Sequence, residues 1–229
     1  MIGCALCLFV MRPTPRPSTL EPTVLLTGFD AFGADRLAPE PVNASWLAVQ
    51  AFNGSVVAGH RVCAEQLPTV FAQASAQLRR LLDAHRPALV VCVGQAGGRS
   101  GISLERVAVN RTVAHMPDNA GQQPRELAVD PGGPAAYFST LPVHTLLRAL
   151  HGQRLPAELS DSAGAFVCNH VFYTLMQVLA SVPAHAGARG GFVHVPCLPS
   201  QGSPCLPLST TVRALRVILQ AAIGAARLK

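Results

Sequence analysis

The sequence predicts a single α/β domain, an open, twisted, mostly parallel sheet with helices on both faces. Three observations lead there. The chain of 229 residues is 49% apolar and 13% charged, which suits one substantial core and argues against disorder. Short apolar runs of strand length alternate along it with stretches of helical periodicity, the order expected of strand–helix–strand units. One of those runs, Ala88 to Val93, is apolar without a break, as a strand covered on both faces of a parallel sheet must be.

The elements follow in order. Val24 to Thr27 is a first strand ended by Gly28. Trp46 to Phe52 reads as a helix, and Val56 to Leu67 contains extended, β-branched stretches. Phe71, Ala74, Leu78, Leu81 and Leu82 share one face of a helix that closes near His85-Arg86-Pro87. After the buried strand, Leu104 to Asn110 alternates like another strand. Ala135 to Leu150 is predicted as a helix opened by Pro134. Val171, Phe172, Leu175, Met176 and Leu179 recur at helical spacing, so a helix runs from Cys168 to Leu179. Gly191 to Val195 is a short strand ended by Pro196. Val212, Leu215, Ile218, Leu219, Ala222 and Ile223 line a C-terminal helix, with Ser209 or Thr210 as its expected cap.

No repeat and no linker divides residues 22–229, so they are expected to form one domain. Residues 1–21 are expected to be a flexible leader, with Met11 as an alternative start. MIGCALCLFVM is apolar but lacks a basic n-region and is too short to span a bilayer, and the segment after it is proline-rich. A weak export signal is the lesser reading. No other stretch is long and apolar enough to cross a membrane.

Charge and cysteine usage exclude several function classes. The formal charge is +6, but the basic residues are arginines except Lys229, scattered apart from Arg79-Arg80, and aromatics make up only 5%. A nucleic-acid surface needs a basic run or stacking platform, and neither is present. The seven cysteines are odd in number and several sit inside apolar runs, which fits a reducing cytoplasm better than a disulfide framework. Cys4 and Cys7 form a C-x-x-C with no second pair at zinc-ligand spacing, so no metal site is expected.

In open α/β sheets, ligands sit beyond the carboxyl ends of the strands. Three polar features occupy such ends: Gly28 to Gly33, Gly94 to Arg99, and His194. Gly94-Gln95-Ala96-Gly97-Gly98-Arg99 lacks the Lys-Ser/Thr of a P-loop and the spacing of a dinucleotide fingerprint. Its glycines instead allow a tight turn close to a small ligand, with Gln95 as donor and acceptor.

Cys168 has two readings. It is a small hydrophobe in the core, or a nucleophile at a helix start, where the dipole and unpaired amides favour the thiolate. Among eight histidines, His194 in Gly-Phe-Val-His-Val-Pro is its best partner, and Glu105 could orient the imidazole. A serine hydrolase lacks its G-x-S-x-G elbow here.

Eight blocks together decide between these readings: TGFDAFG from Thr27, NASW from Asn43, GQAGGR from Gly94, ERVAVN from Glu105, MPDNAGQQP from Met116, PAAYFSTLP from Pro134, SAGAFVCNH from Ser162 and GFVHVP from Gly191. In this order they resemble the pyroglutamyl peptidase type I family (pyrrolidone-carboxylate peptidases), from about Val24 to the last helix.

The resemblance implies a cysteine peptidase that removes an N-terminal pyroglutamyl residue from peptides through a thioester. It implies Cys168 as nucleophile, His194 as general base and acid, and Glu105 as the residue orienting the histidine. It also implies Phe29 and Phe32 as walls for the lactam ring, with Gln95, Asn43, Met116 and Val167 at the bound group. A cytosolic homotetramer without metal or cofactor goes with it.

Three departures stand out: about five extra residues between Phe32 and Asn43, His115 and Met116 where Arg-Ile is common, and Cys197 where Tyr is frequent. Two other readings compete. A non-catalytic binding module on the same scaffold would be expected to lose Cys168, His194 or Glu105. An amidotransferase-like amidase would flank its nucleophile with glycines, whereas Val167 and Asn169 flank Cys168.

Overall fold

The computed structural model describes residues 21–39 and 41–225. The regular elements follow one another as β1 (Thr23–Phe29), α1 (Ala44–Gln50), β2 (Val56–Val57), β3 (His60–Leu67), α2 (Phe71–His85), β4 (Leu89–Gln95), β5 (Ile102–Glu105), β6 (Val107–Val109), β7 (Ala136–Phe138), α3 (Val143–Gly152), β8 (Ala157–Ser160), α4 (Val167–Ser181), β9 (Arg189–Val195) and α5 (Leu208–Gly224). Seven strands make one sheet in the order β2-β3-β1-β4-β9-β5-β8, and β6 and β7 make a small antiparallel pair. β3, β1, β4 and β9 are mutually parallel, while β5 runs against β9 and carries β8 parallel to itself.

Alternation along the central strands sends their side chains to two cores, which is why these runs are apolar throughout. Val24, Leu26, Val91, Val93, Val193 and Val195 pack with α1, α3 and α5 on one face. Leu25, Val90, Cys92 and Phe192 pack with α2 and α4 on the other. The fold is therefore the α/β sheet with helices on both faces that the sequence predicts. Gly28 lies hard against the backbone of a neighbouring helix. A Cβ there would lie 2.8 Å from both the Cα and the amide nitrogen of Trp46 in α1. Nearby, the Phe29 amide donates to Ser45 Oγ at 3.0 Å, tying the end of β1 to the same helix.

Several elements differ from the sequence reading. The run Leu104 to Asn110 is not one strand. It breaks at Arg106, whose amide bonds to Ser160 O, and β6 leaves the main sheet. There it is held by Asn169 of α4, which accepts from the Val109 amide and donates to Val109 O and Arg111 O.

Ala135 to Leu150 is not one helix either. Its aromatic start, Ala136–Phe138, pairs with β6, and Tyr137 packs edge-on against Tyr173, while α3 begins only after Pro142. β8 is a half-exposed edge strand with no apolar signature. α1 starts earlier than Trp46 because Asn43 caps it, and α5 starts at Pro207 with no side-chain cap, which puts Ser209 and Thr210 inside the first turn.

The leader expectation falls on residues 1–20, outside the described residues, apart from Glu21. Among the described residues no helix is long and apolar enough to cross a membrane.

The contact at Gly28 is against backbone, which cannot swing aside. Gly28→Ala is expected to destabilise the fold by about 1–3 kcal/mol, read as a lower urea midpoint at unchanged slope.

Candidate active site

The site is built at the carboxyl ends of β1, β4 and β9, with β5 beside them. Phe192 and His194, two apart on β9, lie on the face that α4 covers. Register pairs Ser103 with His194 and Glu105 with Phe192, so Glu105 lies diagonally across from the imidazole. His194 Nδ1 and Glu105 Oε1 are 2.8 Å apart. A carboxylate only accepts, so Nδ1 carries the proton and Nε2 is the basic nitrogen of the neutral ring. The pair is dry, with Glu105 0% and His194 3% exposed.

Burial alone would push the Glu105 carboxyl up. The His194 hydrogen bond, helped by Ser160 and the Arg99 guanidinium, outweighs it and holds the carboxyl below the usual range. For His194 the balance goes the other way. Burial, reinforced by Arg99, outweighs Glu105 and holds the imidazole below its ordinary value, so it is neutral at pH 7.

Cys168 is the second residue of α4. Phe166, the extended residue before that helix, supplies no side-chain cap to the first-turn amides. Its sulfur lies 2.9 Å from where a Cβ on Gly94 would be, with the Phe192 ring at the same distance. Gly94 is the register partner of His194 on parallel strands, so both face the same side, and the missing side chain at 94 makes the room for Sγ. Burial, with the Glu105 carboxylate adding to it, pushes the thiol up to about 12. Desolvation and a nearby negative charge thus oppose the thiolate that a helix start favours.

Cys168 opens on a small, tight cavity lined by Phe29, Phe32, Asn43, Thr69, Gln95 and Phe166. Four predicted substrate-binding residues thus share one cavity with the cysteine. The side chains of the other two lie outside the lining: Val167, the first residue of α4, is buried in the core, and Met116 reaches over Gly33, 42% exposed.

Asn43 is occupied structurally, its amide donating to Asp30 O and its oxygen accepting from the Ser45 amide and hydroxyl. Gln95 accepts from the Ala44 amide at 2.6 Å and donates to Asp35 at 3.2 Å. Asp35 lies in a 3-10 turn, Gly33–Leu37, within the inserted stretch, and Gln201 also donates to it at 2.8 Å. The extra loop therefore orients Gln95.

Thr69, Phe166 and Arg99 are site residues that the sequence pattern leaves unmarked. Phe166 stacks at an angle on Phe32 and edge-on against Phe71, so it completes the aromatic wall. It belongs to the Ser162 to His170 block, which was the available signal. Thr69 had only its place after a strand end. Among the described residues no group of three His, Cys, Asp or Glu is arranged to hold a metal ion, and the five described cysteines are free thiols.

The pyroglutamyl peptidase family model matches residues 22–225. The chain belongs to that family. It is 48% identical over 204 residues to pyrrolidone-carboxylate peptidase 1 of Ralstonia nicotianae, covering 87% of this chain and 92% of that one. It is 49% identical over 208 residues to the pyrrolidone-carboxylate peptidase of Cupriavidus taiwanensis, covering 89% and 94%. The crystal structure of pyroglutamyl peptidase I from Bacillus amyloliquefaciens superposes with a TM-score of 0.83 at 42% identity, covering 89% of this chain and 98% of that one. The pyrrolidone carboxyl peptidase from Thermococcus litoralis gives 0.84 at 29% identity, covering 90% and 95%.

The electrostatics make one prediction independent of any substrate. Glu105 raises the His194 pKa against burial, so Glu105→Gln is expected to lower it further. An NMR titration of the His194 ring checks this, and an unchanged or higher midpoint would contradict it.

Proposed function

We propose that this chain removes an N-terminal pyroglutamyl residue from peptides as a cysteine peptidase, with Cys168 as nucleophile, His194 as general base and acid, and Glu105 as the group that orients the imidazole. One observation carries this reading beyond family membership. The buried His194–Glu105 pair shares a sheet face with Cys168 at the mouth of a small aromatic cavity.

The cavity suits the substrate's chemistry. A pyroglutamyl group has no free α-ammonium, so a carboxylate or metal to grip an amine would serve nothing. Its ring is flat and neutral, with one N–H and one C=O. Phe29, Phe32 and Phe166 offer faces for the ring, while Thr69 and Gln95 offer polar partners. Proline lacks the ring carbonyl and would leave donors unpaired, which gives selectivity against it.

With the resting thiol protonated and the imidazole neutral, the proton moves as the bond forms. His194 Nε2 takes the thiol proton while Sγ attacks the pyroglutamyl carbonyl carbon. The oxyanion is stabilised by amide donors of the first turn of α4, each worth roughly 2.7–4 kcal/mol in comparable sites. The imidazolium then gives its proton to the leaving amine nitrogen, the C–N bond breaks, and a thioester to Cys168 remains. His194 activates a water for the reverse sequence, releasing pyroglutamate and restoring the thiol.

Family membership also supports a single domain from residue 22 to 229, a homotetrameric assembly and a cytoplasmic location. The free thiols among the described residues are consistent with a reducing compartment.

The experiment is release of a fluorogenic amine from a pyroglutamyl amide under reducing conditions, with the prolyl amide alongside. The intact chain is expected to cleave the pyroglutamyl amide and leave the prolyl amide essentially untouched. Cys168→Ala should lower the rate by at least about three orders of magnitude. No cleavage by the intact chain would refute the activity, and full cleavage by Cys168→Ala would refute the nucleophile.

A further inference from the structure

Arg99 lies outside the cavity lining, yet both ends of its guanidinium are committed at the site. Nη1 donates to Glu105 Oε1 at 2.8 Å, the same oxygen that receives His194 Nδ1 at 2.8 Å. Nη2 donates to the carbonyl oxygen of Ser162 at 3.0 Å, in the loop that delivers Cys168 to the start of α4. The Arg99 side chain is 24% exposed, so most of this contact is sheltered from water, and the carboxylate it meets is fully buried. One planar group thus brackets three segments: the glycine-rich loop after β4, the end of β5, and the lead-in to the nucleophile helix.

We infer that Arg99 is a positioning residue for the peptidase reaction. It fixes the Glu105 carboxylate against His194, holds the Ser162 segment so that the start of α4 stays aligned with the imidazole, and partly offsets the carboxylate's charge. The inference rests on the Cys168–His194–Glu105 reading above.

Burial is the main cause that holds His194 below its ordinary value, and the Arg99 charge reinforces it against the carboxylate. Glu105 and Arg99 act on His194 with opposite signs, the first raising it and the second lowering it. On Cys168, across Gly94, Arg99 again opposes Glu105, with Cys92 beneath adding a smaller push upward. Arginine suits the task because its planar fork presents donors in fixed directions, one to each oxygen, a rigidity an ammonium lacks.

The test is cleavage of the pyroglutamyl amide as a function of pH by the intact protein, Arg99→Gln and Arg99→Lys, each checked for folding by thermal melt. Arg99→Gln is expected to lower kcat about 10–100-fold with KM within about twofold. It should also move the acid limb of kcat/KM upward by about one pH unit, because burial alone then opposes Glu105 at His194. Arg99→Lys keeps the charge and should leave the limb in place while still lowering kcat.

A folded Arg99→Gln protein with unaltered kcat and acid limb would overturn the inference. If that variant does not fold, Arg99→Lys decides, and an intact-level kcat there would overturn the bracketing role. If the unsubstituted protein cleaves nothing, the peptidase reading fails instead. The His194 ring titration then judges Arg99 alone, with no upward shift in Arg99→Gln counting against it.

Discussion

Glu105 carries a negative charge into the buried interior, where it is 0% exposed, and much of the site's arrangement follows from the need to satisfy it. A buried carboxylate without partners costs several kcal/mol, so it either protonates or gathers donors. Here His194 and Arg99 meet the same oxygen, and the carboxyl is held below its usual range despite its burial. That fixes the histidine tautomer, aims Nε2 as the acceptor nitrogen, and draws the loop leading to α4 toward the sheet through Ser162. The cysteine is then offered a base whose protonation state is already set.

The sheet topology makes this arrangement possible. Because β5 runs antiparallel to β9, Glu105 pairs with Phe192 and lies one pleat deeper than His194. The acid is therefore in the dry interior while the base is nearer the strand end, where a ligand enters. Gly94 supplies the remaining space, since any side chain there would meet both Cys168 Sγ and the Phe192 ring. Burial and the Glu105 carboxylate push the Cys168 thiol up to about 12, so in the proposed reaction the proton leaves as the sulfur attacks.

Much of this is legible in the sequence, for physical reasons. Strands buried on both faces read as unbroken apolar runs, and α2, α4 and α5 show a clear apolar face, so the layered fold follows from pattern alone. Cys168 is visible because a helix begins beside it, and His194 because it interrupts an apolar strand. What escapes the sequence is decided by distant partners. Leu104 to Asn110 alternates along its whole length, and only the pull of Asn169 on Val109 splits it. Ala136–Phe138 carries a helix-compatible start, and pairing with β6 makes it a strand. Thr69 joins the cavity through folding alone, while Phe166 and Arg99 lie inside segments the sequence marks without assigning them a role. The burial and the Glu105 charge that oppose the thiolate at Cys168 likewise come from partners distant in sequence.

The central claim is that Cys168, with its proton taken by His194, forms a covalent bond to the pyroglutamyl group. The most direct measurement is mass spectrometry of the protein quenched in acid during turnover of a pyroglutamyl peptide. The account predicts a mass increment of one pyroglutamyl group on the proteolytic fragment that contains Cys168, removed by hydroxylamine as a thioester should be. Steady turnover with no increment on that fragment, or an increment on a different residue, would contradict it.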